Sequence, residues 1–267
     1  MRPGLRAGLL VAFAAALVAC ADAPRGGTGP APVRRGGSVP PTLVLQAGHG
    51  DGLRSWDPVF DRLAQGHAVV AFDRPGYGGR AGTSAPRDPC TMADEQHALL
   101  RQLGLRTPVV LVGHSLGGRY QWVHAVLYPD DVAALVLIEP THPEHWRRLQ
   151  SQAPAMAALV KAARLAFTPT MAAEFDAQDA CLDRRVGPAA RAAARRIPAR
   201  VLVRQDYHGL ERGAFETLHR ALMHDWLDLV DAPGLDVVPR SGHYIHRDRP
   251  DAVVRAIEEL TSRIPPP

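Results

Sequence analysis

Lysine is almost missing from this chain: Lys161 is the only one, and the arginines that supply the remaining basic charge are scattered among alanine, glycine and proline. A nucleic-acid surface needs basic side chains gathered into a patch or stripe, so the formal charge of +4 does not point to one. Long apolar runs are lacking too. The stretch from Leu9 to Ala19 is eleven residues, about half of what a membrane-crossing helix needs, which excludes a membrane bundle. Charged residues are 22% of the chain against 46% hydrophobic ones. That is too little charge bias for a disordered chain and enough apolar material for a sizeable core. Internal repeats are absent. Cysteine is scarce, at three. His142 and His145 form an HxxH pair without a third ligand and read as cap or pocket-rim residues, so no metal site is expected.

At the N-terminus, Arg2 and Arg6 precede the eleven-residue apolar run, the pattern of an export signal over residues 1–19. It ends in Leu17-Val18-Ala19-Cys20, which resembles the lipobox of bacterial lipoproteins, where cleavage before the cysteine leaves it as the lipid-bearing first residue; Ala19-Cys20-Ala21 also fits an ordinary signal peptide cut after Ala21. The resemblance implies a protein of the bacterial cell envelope, anchored to a membrane through Cys20. Cleavage there removes two arginines and no acid, taking the charge from +4 to +2. Residues 20–41 are rich in proline and glycine, with few apolar residues to bury, and are expected to form a flexible tether. Two further cysteines, Cys90 and Cys181, would meet an oxidising compartment; a disulfide and two buried thiols both fit the sequence.

From Thr42 onward, short apolar runs alternate with helical patterns. The runs are TLVLQA, AVVAFD, PVVLVG, VAALVLI, ARVLV and LDVV. They are too continuous for strands exposed on one face, and predict an α/β fold with a mostly parallel, doubly wound sheet of six or more strands. Residues 143–197 break the alternation with Ala- and Arg-rich helical stretches and are expected to form a helical cap inserted into a core of 42–142 and 198–267. Loops at the carboxyl edge of such a sheet are where ligands bind, so the cap would wall a pocket.

The run PVVLVG leads directly into Gly113-His114-Ser115-Leu116-Gly117, a Gly-x-Ser-x-Gly sequence between strand and helix. A nucleophile on so sharp a turn leaves no room for side chains two positions before or after it. Together with LVLQAGHGDGLRSWDPV, VVAFDRPGYGG and PRSGHYIHRDRPDAVV, in this order and spacing, the motif resembles the α/β-hydrolase superfamily from Thr42 to Ser262.

The resemblance implies Ser115 as nucleophile and His243 as its base, in preference to His246. It implies an acid at a strand end, either Glu139 or, as the alternative, Asp206. Glu139 is favoured because LVLIEPTHPE resembles the subgroup with the earlier acid. An oxyanion hole would come from the backbone N–H groups of His49 and Leu116. Ala47 stands where the family's loop more often has histidine, which leaves backbone donation intact. His114 and Asp73 are expected to be structural. Haloalkane dehalogenases and epoxide hydrolases on this fold carry aspartate at the elbow, so a serine points to acyl transfer to water. The expectation is a carboxylic ester hydrolase acting on a small acyl substrate without metal or organic cofactor. An aminopeptidase-like enzyme is the nearest alternative, against which an Arg-rich cap argues. A non-catalytic binding protein on the same fold is the alternative from another class.

Overall fold

The computed structural model describes residues 32–264; the export segment and Cys20 lie outside the described residues. No helix among the described residues is long and apolar enough to cross a membrane. Seven strands form one sheet: β1 (Val33–Gly36), β2 (Leu43–Gln46), β3 (Val69–Phe72), β4 (Val109–His114), β5 (Val132–Ile138), β6 (Ala199–Arg204) and β7 (Leu235–Val238). Their order is β1-β3-β2-β4-β5-β6-β7. Every pairing is parallel except β1 with β3.

Side chains alternate between the two faces of a strand, and both faces of this sheet are covered. Leu43, Leu45, Val110, Val112 and Val136 pack on one face against Trp56, Phe60, Val253 and Ile257. These four come from Leu53–Trp56, α1 (Asp57–Gly66) and the C-terminal helix that closes the fold. Val44, Leu111, Leu135 and Val201 pack on the other against Leu100, Trp122 and Leu222. The central strands β2, β3 and β4 are buried along their whole length, which is why their sequences show no polar alternation.

One expectation is corrected at the edge. Residues 33–36, assigned to the tether, form strand β1, with Val33 opposite Phe72 and Gly36 opposite Val69. The sequence Val-Arg-Arg-Gly has no apolar alternation because this strand is held by its ladder and by its arginines. The Arg34 guanidinium bonds Asp57 at 2.7 Å and Asp61 at 2.6 Å and lies 3.8 Å over the Phe60 ring. A polar edge strand also discourages pairing with other chains.

On the second face run α2 (Pro89–Gln102) and α3 (Leu116–Leu127). Asp88 caps α2, its carboxylate accepting from the Cys90 and Thr91 N–H groups at 3.0 and 3.1 Å. After β5 the chain leaves the sheet for α4 (His145–Gln152), α5 (Pro154–Ala163), α6 (Pro169–Asp176), α7 (Leu182–Arg185) and α8 (Pro188–Ala194). Prolines at the first turns of α5, α6 and α8 set the starts of these cap helices. The chain then returns through β6, α9 (Ala214–Asp225), β7, α10 (Ile245–Asp248) and α11 (Pro250–Thr261).

A disulfide and a buried arginine are among the links that bind cap to core. A Cys90–Cys181 disulfide joins the start of α2 to the cap, resolving the choice that the sequence left open. The fully buried Arg119 of α3 donates to Gln178 O at 2.9 Å, Asp179 Oδ1 at 2.8 Å, Thr141 O at 3.1 Å and His142 O.

Candidate active site

Ser115 stands between β4 and α3 with φ 54° and ψ −121°, a left-handed conformation in which a non-glycine residue is strained. Bonds on either side hold it there. Its N–H donates to Ile138 O at 3.0 Å, and its carbonyl accepts from Gly118 at 3.0 Å and Thr141 at 3.0 Å. The turn needs bare backbone: a Cβ on Gly113 would lie 2.6 Å from Gly117 O, and one on Gly117 would lie 2.3 Å from Gln46 O. The strain is the price of presenting the hydroxyl at the sheet's carboxyl edge and at a helix N-terminus, where developing negative charge is favoured.

The loop after β2 passes over this turn. A Cβ on Gly48 would lie 3.1 Å from that of Ser115, so the Gly48–His49 peptide is next to the serine. Its orientation is set from behind. Arg74 donates to Ala47 O at 2.6 Å and to Gly48 O at 2.8 Å. In a trans peptide the C=O and N–H point in opposite directions, so drawing Gly48 C=O toward Arg74 turns the His49 N–H the other way.

The Arg74 charge is balanced by Glu174 of α6, at 2.9 Å, and Tyr77 donates to the same carboxylate at 2.8 Å. Glu174 is completely buried. Burial alone would raise its pKa, but the charge and hydrogen bonds of Arg74, with His49 and Tyr77, together hold it below the usual carboxylate range. The His49 ring also reaches the cap, donating from Nε2 to Met171 O at 2.8 Å. Sequence reading missed Arg74 and Glu174. Arg74 follows Asp73, a residue expected to be structural, and Glu174 sits 100 residues further on in a cap whose packing no pattern reveals. Glu174→Gln is expected to lower kcat of hydrolysis by about tenfold or more with KM changed less, since a misaimed donor is felt mainly in the transition state. Steady-state kinetics on the folded variant check this.

His243 follows β7 and has its side chain 36% exposed to the cavity. Its Nδ1 donates to Glu139 Oε2 at 3.3 Å. Glu139 follows β5 with φ 49° and is buried among cationic and polar partners. Arg204 donates its backbone N–H to Oε1 at 2.7 Å, and its Nε lies 3.2 Å from Oε2. His219 Nε2 lies 3.4 Å from the same oxygen, and its Nδ1 is 2.8 Å from the Tyr207 hydroxyl. Asp206, the alternative acid, is placed differently. Its backbone N–H donates to Ser241 O at 3.1 Å, and among the described contacts its carboxylate makes none with His243.

Of the other histidines, His114 turns away from the cavity and donates from Nε2 to the His243 carbonyl at 3.0 Å. His246 is buried between Trp56 and His114. His145 lines the cavity, and His142 packs on Trp226. Asp73 accepts from the Leu53 N–H at 2.7 Å.

Ser115, Glu139, His145, His219 and His243 open on one cavity of about 430 Å³. Its far wall is apolar, made by Leu149 of α4, Met156 and Val160 of α5, and Phe215 of α9.

Residues 43–256 match the model of the "Alpha/beta hydrolase family". The chain belongs to this family. This hydrolase is 33% identical over 102 residues to a (lyso)-N-acylphosphatidylethanolamine lipase of Mus musculus, covering 37% of this chain and 30% of that protein. It is 34% identical over 139 residues to a fluoroacetate dehalogenase of Burkholderia sp, covering 45% of each. The alignments thus span less than half the length of these relatives. Among solved structures, an esterase from Thermogutta terrifontis superposes with a TM-score of 0.61 at 19% identity, covering 87% of this chain and 93% of the other. A membrane phospholipase A does so with 0.61 at 20% identity, covering 95% and 92%. At such identities the superpositions speak for the shared fold alone.

Proposed function

We propose that this hydrolase cleaves carboxylic esters of small molecules through an acyl-enzyme on Ser115. The observation that carries the reading is the convergence of a strained elbow serine and a histidine–carboxylate pair on one half-apolar cavity. Because Nδ1 of His243 is engaged by Glu139, its Nε2 is the nitrogen left to act as base. Ser115 Oγ attacks the ester carbonyl carbon as His243 Nε2 takes the hydroxyl proton, and the carbonyl oxygen becomes an oxyanion received by the N–H groups of His49 and Leu116. Collapse breaks the C–O bond, and the imidazolium returns the proton to the leaving alcohol. Water then repeats the cycle on the acyl-enzyme and releases the acid. Glu139 keeps the Nδ1–H tautomer and stabilises the imidazolium; no step calls for a metal or organic cofactor.

The wall of Leu149, Met156, Val160 and Phe215 supports an apolar acyl group of modest length. Amine recognition would need an unpaired carboxylate in the cavity. Of the two that line it, Glu139 and Glu211, both are paired with Arg204, which disfavours an aminopeptidase. Anchorage in the bacterial envelope through a lipidated Cys20 belongs to the same proposal and rests on the Leu-Val-Ala-Cys sequence. Hydrolysis of p-nitrophenyl esters from acetate to decanoate, set beside aminoacyl p-nitroanilides, tests the reaction class. Ester turnover with a preference among chain lengths supports it, and turnover of the anilides alone would overturn it.

A base at His243 carries a pH dependence. Desolvation in the cavity wall lowers the His243 pKa below its ordinary 6.5, and the charges of Arg204 and Arg247 act in the same direction. A base works in its neutral form, so lowering its pKa extends activity toward acid. The acid limb of kcat/KM is expected below pH 6.5 in a stopped-time ester assay; a limb centred at 7 or above would contradict the assignment.

A further inference from the structure

A second cluster of ligating side chains lies away from the cavity, on two helices and a turn. His97 is on α2, His124 on α3, and Asp131 ends the 3-10 turn Pro129–Asp131. One ligand atom from each lies within 4.8 Å of the other two. His97 Nδ1 is 2.6 Å from Asp131 Oδ2, and His124 Nε2 is 3.5 Å from the same oxygen. His124 is nine residues along α3 from Ser115, about 13 Å down the helix axis, and none of the three lines the cavity.

Two observations separate this group from an ordinary hydrogen-bonded cluster. His124 is completely buried, yet neither of its ring nitrogens has a hydrogen-bond partner. A buried imidazole without a partner is uncommon and needs a physical reason. Its Nε2 faces the carboxylate that His97 already engages, so two imidazoles converge on one acid. The His97 ring is also held in plane, stacked on Tyr128 at 4.0 Å and 2°, while the Tyr128 hydroxyl donates to Asp94 at 2.7 Å. The side chains of His97 and Asp131 keep 27% and 17% exposure, leaving a solvent side for a further ligand.

We propose that His97, His124 and Asp131 form a binding site for a divalent transition-metal ion, with Zn²⁺ the best match to two imidazoles and a carboxylate. Tetrahedral zinc holds such donors about 3.3 Å apart. The spacings of the two imidazoles from Asp131, 2.6 and 3.5 Å, lie on either side of that value, and water would supply the fourth ligand. A bound ion would tie α2 to α3 and to the turn entering β5, at the end of α3 remote from the serine.

The test is a titration of the metal-free full chain with ZnCl₂ by isothermal calorimetry, with Co²⁺ absorption as a second readout. One Zn²⁺ per chain is expected. His97→Asn and Asp131→Asn should each weaken binding at least about tenfold, whereas His224→Asn, an exposed histidine outside the cluster, should leave it unchanged. Absence of stoichiometric binding, or binding that survives both ligand variants, would reduce the cluster to a hydrogen-bond network and overturn the proposal. Should either ligand variant fail to fold, the wild-type protein decides alone: a Tm that rises with Zn²⁺ and not with Mg²⁺ supports the site, and equal or absent responses refute it.

Discussion

Replacing Ser115 with alanine is expected to lower kcat/KM for a p-nitrophenyl ester by at least about 10⁴-fold, leaving the residual rate that binding and backbone donors alone supply. The variant should fold, because the turn is built from backbone bonds to Ile138, Gly118 and Thr141 that do not involve the hydroxyl. Alanine removes only one oxygen from a residue that already holds φ 54°. Loss of activity with an unchanged circular dichroism spectrum would thus locate the chemistry in Oγ. Retention of more than about a hundredth of the wild-type rate would contradict nucleophilic catalysis by this residue, since no other step supplies an acyl acceptor of comparable reach.

The second large effect separates two carboxylates. Glu139→Gln is expected to cost about 10³- to 10⁴-fold in kcat, because an amide facing Nδ1 can stabilise neither the required tautomer nor the imidazolium. Asp206→Asn should change kcat less than about threefold. The glutamine variant keeps the shape of a fully buried side chain, and Arg204 retains Glu211 at 2.7 Å, so the cation is not left unpaired in the interior. A larger loss from Asp206→Asn than from Glu139→Gln would reverse the assignment, and parallel steady-state measurements on the two folded variants decide it.

The fold was largely legible because a parallel sheet covered on both faces writes itself as continuous apolar runs. Six of the seven strands coincide with such runs. The exception, Val33–Gly36, carries two arginines and joins the sheet through backbone bonds and salt bridges to α1, interactions that no hydropathy pattern encodes. Ser115 was legible because its turn demands glycines at fixed offsets, a local constraint. His243 and Glu139 needed the resemblance to a family, since their 3.3 Å contact joins residues 104 apart in sequence. Arg74, Glu174 and Arg204 were invisible for the same reason in stronger form: each acts by pairing with a distant group, and a lone Arg or Glu in sequence is indistinguishable from a solvated one. The disulfide was open because spacing carries no distance information, and only the packing of the cap on α2 brings Cys90 to Cys181.

The central claim, that Ser115 is an activated nucleophile in a working site, is tested most directly by reaction with a fluorophosphonate at pH 7 followed by intact-mass and peptide analysis. The account predicts one adduct per chain, located on Ser115, absent from Ser115→Ala and formed much more slowly in His243→Ala. No adduct, or an adduct mapped to another residue, would contradict it.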